Sequence, residues 1–339
     1  MKEMKKLDIS IAMFSVLFFL SACNDEWKDE LYTHMISLKA PLSGEGVSNV
    51  YLRYHPNGEV VFSLPVLRSG STLSDEAADV LIKVDNDTLG ILNNEKFMDR
   101  EDLYYKQLPE QYYELLSPTC HIPGGSNKEL FQVKFKFAGL DLSNEWVLPL
   151  MVEDNPSYVV NRRKGWGKAL LHVLPFNDYS GTYSGTAMNI YFDDSGNDPL
   201  IVSERKAHVV DEKTVFFYAG AKMDDAIDRG TYKIFVRFEQ GMTDADGTIR
   251  GNLTVSAEFP ERIGFENIGQ ATYEIRTQKD DKQPYLVRRA YVLYMKYRYT
   301  DVTSVENNPV TYRAEGSMAM ERKINTLIPD QDQGIMWDE

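Results

Sequence analysis

The run LFQVKFKF at residues 130–137 alternates without a break. Phe131, Val133, Phe135 and Phe137 fall on one face, and Gln132, Lys134 and Lys136 on the other. That period of two is the mark of a strand with one face buried and one wet. No long segment of the chain carries a clean helical period. Short runs broken by Gly, Pro, Asn and Asp recur instead, which predicts an all-β chain. Strands are expected at 50–54, 59–66, 79–84, 120–122, 130–137, 146–152 and 169–174. The polar stretch 85–101 reads as irregular, and LPEQYYELL (108–116) as a short helical turn. Seven short strands between residues 33 and 175 predict an immunoglobulin-like β-sandwich. The Cys-Trp-Cys core of antibody domains is missing, so the topology is only likened to that fold.

PFNDYSG (175–181) marks the boundary, after which the strands lengthen. Runs at 181–192, 207–210, 214–220, 231–239, 249–259, 271–277, 286–300 and 310–322 make eight. Asp211-Glu212 and DADG (244–247) separate successive runs as hairpin turns do. Eight antiparallel strands in one meander can close on themselves and lose their unpaired edges. An antiparallel eight-stranded, lipocalin-like β-barrel is therefore expected over 176–325, with 326–339 as a tail. In the long run 286–300, Tyr291, Leu293, Met295, Tyr297 and Tyr299 share one face. That row reads as barrel filling rather than as a ligand cradle.

The front end speaks to location. Lys2, Lys5 and Lys6 precede twelve mostly apolar residues, Ile9 to Leu20. A membrane span needs about twenty, so this run reads as an export signal over 1–22. Leu20-Ser21-Ala22-Cys23 has the form of a lipobox, which makes Cys23 the expected lipidation site. Stable anchoring takes more than one acyl chain, at about 0.8 kcal/mol per buried methylene. Asn24, Asp25, Glu26, Lys28, Asp29 and Glu30 follow at once. This acidic tether, 23–32, resembles the surface-export signal of lipoproteins from gut Bacteroidota, and is also what any solvated linker looks like. The expected location is the outer membrane, at the cell surface, held by lipid.

The formal net charge of −14 becomes −15 once residues 1–22 are removed, since they carry three lysines, one glutamate and one aspartate. Such a chain lacks the basic patch from which nucleic acid binding starts, so no nucleic acid partner is expected. With Cys23 acylated, Cys120 is the one remaining thiol and no internal disulfide can form. Five scattered histidines and that thiol offer little to a zinc ion. Neither a metal nor a cofactor is expected.

Several elements together resemble a known family. Asp85 with Asn93, Leu108-Pro109 with Tyr112-Tyr113, Ile122 with Gly124-Gly125, and the strand WVLPL ending at Leu150 are similar to an N-terminal domain of Bacteroidota surface lipoproteins. Those proteins serve polysaccharide-utilization systems, and the same module precedes the catalytic domain in some surface family-18 endoglycosidases. The second half, from YSGTYSGT to YRAEGSMAMER, resembles the β-rich domain of unknown function that commonly follows. The likeness implies a glycan-acquisition role and carries over no binding residues.

No catalytic arrangement stands out. GTYSG places its serine one residue too late for a nucleophile elbow, and no His-Glu-x-x-His occurs. GLDLSNEW (139–146) offers Asp141 and Glu145 without the rest of a family-18 motif. DNDTLG (85–90) begins like a calcium loop, but Leu89 and Lys96 stand where oxygen ligands are needed. The expected function is non-catalytic capture of an oligo- or polysaccharide, alongside transporter components or glycosidases. The alternative is a structural protein of a surface complex that touches no sugar; an unrecognised glycosidase is a third reading. Stacking on sugar needs an exposed ring. Trp166, flanked by glycines and cations in RRKGWGK, is the first candidate, or else packs at the domain junction. Trp337 in the tail and Tyr104-Tyr105 in a charged loop are the next, while Trp146 reads as core.

Overall fold

The computed structural model describes residues 30–40, 43–193, 198–305 and 307–329. The export signal, Cys23, most of the acidic tether and Trp337 lie outside the described residues. The first half contains β1 (Met35–Leu38), β2 (Ser48–Arg53), β3 (Glu59–Arg68), β4 (Ala78–Val84), α1 (Thr88–Phe97) and β5 (Lys106–Gln107). It continues with β6 (Tyr113–Leu115), β7 (Thr119–Ile122), β8 (Lys128–Lys136), β9 (Trp146–Val152), β10 (Val159–Val160) and β11 (Lys168–Phe176). One sheet runs β10-β1-β3-β8-β6, and the other runs β2-β11-β9-β4-β7 with β5 beside β9.

The expected alternation decides which side of β8 is buried. Phe131, Val133, Phe135 and Phe137 are each 2% exposed or less and meet Leu64, Val66, Leu148 and Leu150 between the sheets. β9 is apolar on both faces because both are covered. Leu148 and Leu150 face the main core, whereas Val147 joins Val47, Leu89, Tyr105 and Leu170 in a small second core with Leu92 and Phe97 of α1. The helix was not expected, since among its residues only Leu89 and Asn93 are buried. LPEQYYELL forms a single 3₁₀ turn at Glu110–Tyr112 and then enters β6, so the expected helical turn is shorter than its sequence pattern.

The second half contains β12 (Gly181–Phe192), β13 (Leu200–Ile201), β14 (Glu204–Val209), β15 (Thr214–Tyr218), β16 (Lys233–Phe238) and β17 (Met242–Thr243). Then come β18 (Ile249–Ala257), β19 (Glu266–Asn267), β20 (Thr272–Lys279), β21 (Leu286–Asp301) and β22 (Val310–Asn325). The path β12-β14-β15-β16-β18-β20-β21-β22 closes when β22 pairs back onto β12. This is the eight-stranded antiparallel barrel expected from the runs. At the closing seam Gly316 has φ +136°, and a Cβ there would overlap the Ala187 carbonyl, so only glycine fits.

The barrel is filled. Tyr291, Leu293, Met295, Tyr297 and Tyr299 are each 3% exposed or less, and they meet Tyr183, Phe217, Tyr232 and Phe238 in one core. Phe238 stacks on Tyr179 with ring centroids 3.7 Å apart. At the mouth where the β15–β16 and β21–β22 loops meet, the Lys222 ammonium lies 2.5 Å from Asp228 and 3.0 Å from Asp301. The Tyr232 hydroxyl, 2.8 Å from Asp301, joins the same cluster. The halves lock together through charges. Lys233 on β16, 9% exposed, bonds Asp141 at 2.9 Å, and Arg229 donates to the Asp102 carbonyl at 3.1 Å.

Candidate functional site

With the barrel packed, room for a ligand has to be found outside it. The chain leaves β9 at Val152 and does not return to that sheet until β11. Between them, residues 153–167 wrap the edge of the other sheet, where β10 pairs parallel with β1 through Met35–Val159 and Ile36–Val160. An Asx turn starts the segment, the Asn155 side-chain oxygen accepting from the Ser157 amide at 3.0 Å and hydroxyl at 2.8 Å. Tyr158 then ties it down. Its hydroxyl donates to the Glu153 carbonyl at 2.9 Å and accepts from the Leu81 amide at 3.0 Å.

Asn161, 4% exposed, performs the second half of the bend. Its side chain accepts from the Arg163 amide at 3.1 Å and donates to the Ser37 hydroxyl at 3.0 Å. A 3₁₀ turn over Arg163–Gly165 follows, with Lys164 at φ 49° and Gly165 at φ 70°. Two successive left-handed residues reverse the chain, and a non-glycine there stores strain of order 1 kcal/mol. Trp166 ends the turn and its carbonyl accepts from the Leu38 amide at 2.8 Å.

These bends frame an open cleft of about 610 Å³. Met35, Pro156, Tyr158, Val159 and Val160 supply its apolar walls, and Asp154, Asn155, Arg162 and Arg163 supply polar groups. Apolar walls with a few polar groups are what small-ligand sites have in common. Trp166 does not line the cleft itself. It stands three residues beyond Arg163, 49% exposed, at the end of the turn that brings Arg163 to the rim. Nothing in the sequence pattern marks this cleft, since its walls come from a strand edge and two turns.

The other candidate rings fall elsewhere. Tyr105 is 5% exposed, so the expected stacking face is not there. Its ring packs 5.5 Å from Phe97 and 5.3 Å from His172, and its hydroxyl, 2.7 Å from Glu45, is held by Lys96 at 2.9 Å. Lys96 of α1 and the distant Glu45 cover the ring, rather than the charged residues beside it in sequence that suggested an exposed loop. Tyr104 is half-buried, tilted against Phe97 at 6.2 Å, with its hydroxyl donating to the Met98 carbonyl at 2.5 Å. Neither tyrosine lines the cleft. Trp146 packs against the sandwich core, its indole donating to the Asp141 carbonyl at 2.7 Å.

The acids singled out by sequence have structural partners. Burial raises the Glu145 carboxyl, but the hydrogen bond from His172 at 2.7 Å and the nearby Lys206 outweigh it and hold the group at about 2. Asp141 is likewise held below its ordinary value, burial being outweighed by hydrogen bonds from Ser143 and Lys233. A general acid needs the opposite shift, so neither is tuned for the proton-donating role in glycoside hydrolysis. Asp85 accepts from the Asp87 and Thr88 amides and bonds Lys168 at 2.8 Å, which makes DNDTLG the anchored start of α1. No group of three or more His, Cys, Asp or Glu placed to hold a metal ion occurs among the described residues. Cys120 is 3% exposed and burial pushes its thiol up to about 11, far from a nucleophile's range.

A family model described as a domain of unknown function, DUF4973, matches residues 27–156, and a second, described only as a C-terminal domain, matches residues 167–319. Neither description names a catalytic activity. A search of curated proteins gave no match. Among solved structures, a protein of unknown function from Bacteroides ovatus has a TM-score of 0.79 at 33% identity, over 91% of this chain and 97% of that one. Another from the same organism gives 0.78 at 38% identity, over 89% and 100%. A Bacteroides thetaiotaomicron protein described as an auxiliary nutrient binding protein gives 0.74 at 34% identity, over 90% and 100%. Similarity of that depth across nearly the whole length shows that the chain belongs to the same family as these Bacteroides proteins, with a DUF4973 domain leading into an eight-stranded barrel.

Proposed function

We propose that the protein is a non-catalytic surface lipoprotein that captures oligo- or polysaccharide for a Bacteroides polysaccharide-utilization system. Cys23 carries the lipid anchor, the acidic tether leads the chain to the outer face of the outer membrane, and the two β-units stand in the medium. The observation that carries the reading is the cleft at residues 154–163 with the exposed Trp166 at the end of its turn. A half-exposed indole three residues beyond the rim Arg163 suits the face of a pyranose ring, and Asn155 and the arginines suit its hydroxyls. A relative described as a nutrient binding protein supports the same direction. Transporter components and glycosidases of the same system are the expected neighbours.

The test is affinity electrophoresis of a soluble chain starting at Asn24, which keeps every described residue, against a panel of host and dietary polysaccharides. Retardation that Trp166→Ala abolishes supports the reading. A folded chain that no glycan retards counts against it.

A second reading, a scaffold for other surface proteins, draws on one feature. Met223 and Ile227 are 55% and 77% exposed on the loop between β15 and β16. Val305, 48% exposed, lies on the loop between β21 and β22, which Lys222 ties to the first through Ser304 at 2.8 Å. Crosslinking on intact cells that traps a protein at this mouth, with no glycan retention, would favour it.

A further inference from the structure

We infer that the ligand of this cleft is an anionic glycan, a uronate-containing or sulfated chain, recognised by Arg163 and Lys164. The inference rests on the glycan-capture reading above and adds the charge of the substrate to it.

The argument is a charge balance along residues 153–168. This stretch carries two acids, Glu153 and Asp154, and four cations, Arg162, Arg163, Lys164 and Lys168. Four of these six charges are matched. Glu153 pairs with Lys83 at 2.8 Å, Asp154 with Arg162 at 2.5 Å, and Lys168 with the buried Asp85 at 2.8 Å. Arg163 and Lys164 remain, and among the described residues no acid lies within ion-pair distance of either. Both are exposed, and they are consecutive.

Their placement is specific. Arg163 lines the cleft, and Lys164 is the next residue, held in the left-handed region by the same turn that presents Trp166. The buried Asn161 fixes that turn through the Arg163 amide, so the two cations sit on a braced support rather than a loose loop. The cleft walls are apolar and cannot distinguish a neutral sugar from a charged one, which leaves the choice to the rim.

The chain as a whole is acidic, with a formal net charge of −14. That field repels an anion at long range but is screened beyond about 8–10 Å in physiological salt. A carboxylate or sulfate arriving at the rim therefore meets two uncompensated cations. Arg163 can hold either group with two parallel N–H donors, and Lys164 adds a point charge. A sugar whose apolar face packs near Trp166 while its acidic substituent reaches Arg163 uses both features at once.

The experiment compares acidic with neutral polymers, among them one pair that shares a backbone and differs in charge. The soluble chain from Asn24 is run through gels containing polygalacturonate, fully methyl-esterified pectin, chondroitin sulfate, mannan or starch. The wild type and Arg163→Gln/Lys164→Gln are compared at 50 mM and 500 mM sodium chloride. The expected result is retention by polygalacturonate or chondroitin sulfate at least tenfold stronger than by the neutral polymers. The double variant, folded by circular dichroism, and the high-salt condition each lower it at least tenfold. Equal retention by esterified and de-esterified pectin, neutral-polymer binding alone, or a double variant that binds acidic polymers like the wild type overturns the anionic assignment and leaves glycan capture standing. Retention by no polymer of either kind removes the capture reading and this inference with it.

Discussion

Placing the binding site on the sandwich edge depends on the barrel having a packed interior, and Phe238→Ala measures that packing. Phe238 on β16 is 1% exposed, stacks on Tyr179 at 3.7 Å and meets Tyr273 at 5.1 Å. Burying a phenyl group contributes about 1.5–3 kcal/mol, and each ring pair adds about 0.5–1.5 kcal/mol. Truncation to alanine also leaves a cavity, and buried Phe→Ala changes cost about 3–5 kcal/mol. At roughly 2–4 °C per kcal/mol for a unit of this size, the melting temperature should fall by about 6–20 °C. Differential scanning calorimetry on the soluble chain reads this directly, with glycan retention measured on the same sample below the transition. A loss under about 1 kcal/mol, together with loss of glycan retention, would mean that the interior is a cradle and that the sandwich-edge site is misplaced.

Four further outcomes are expected. Asp85→Asn should destabilise the protein by roughly 2 kcal/mol at pH 7. Burial raises this carboxyl, but hydrogen bonds from Lys168 and Thr88 outweigh it and bring it from 3.8 to about 2, on a side chain 2% exposed. Because the folded value is depressed, the stabilisation is complete above the unfolded value and fades as pH falls from about 4 towards 2. Denaturation curves of wild type and variant should converge over that window. Gly220→Ala should cost at least about 2 kcal/mol by the same denaturation assay, since φ is +53° and a Cβ would overlap the Tyr299 hydroxyl. Trp166→Ala should shift stability by no more than about 0.5–1 kcal/mol, the range for a surface change, while abolishing glycan retention. A large melting shift would mark Trp166 as a packing residue. Cys23→Ala should lose fatty-acid label and leave the membrane fraction in the native host, and label retained on the variant would contradict the lipobox reading.

The strands were legible because their burial is one-sided or complete. Phe131, Val133, Phe135 and Phe137 announce β8, and the row from Tyr291 to Tyr299 announces β21 and its filled barrel. What escaped has a common cause, namely structure set by contacts that carry no period. α1 buries only Leu89 and Asn93 of its own residues, too few to print a helical stripe. β1 and β10 are four and two residues long, shorter than a pattern needs. Tyr105 looked exposed because its neighbours are charged, yet Lys96 lies 4.9 Å over its ring and Glu45 takes its hydroxyl proton bond. The cleft was invisible for the same reason. Trp166 and the cations beside it could be read from RRKGWGK, but Met35, which joins Pro156, Tyr158, Val159 and Val160 in the wall, is more than a hundred residues away in sequence.

The most direct test of the account watches Trp166 itself. The chain has four tryptophans, so its nitrogen-15 spectrum holds few indole signals, and Trp166→Phe assigns the one that matters. Titration with an oligosaccharide cut from a retained polymer should move the Trp166 indole signal in a saturable way, with the same Kd as the backbone amides of Arg163 and Val160. A bound oligosaccharide that leaves Trp166 and its neighbours unmoved, while signals from the barrel or its loops shift, would contradict the account.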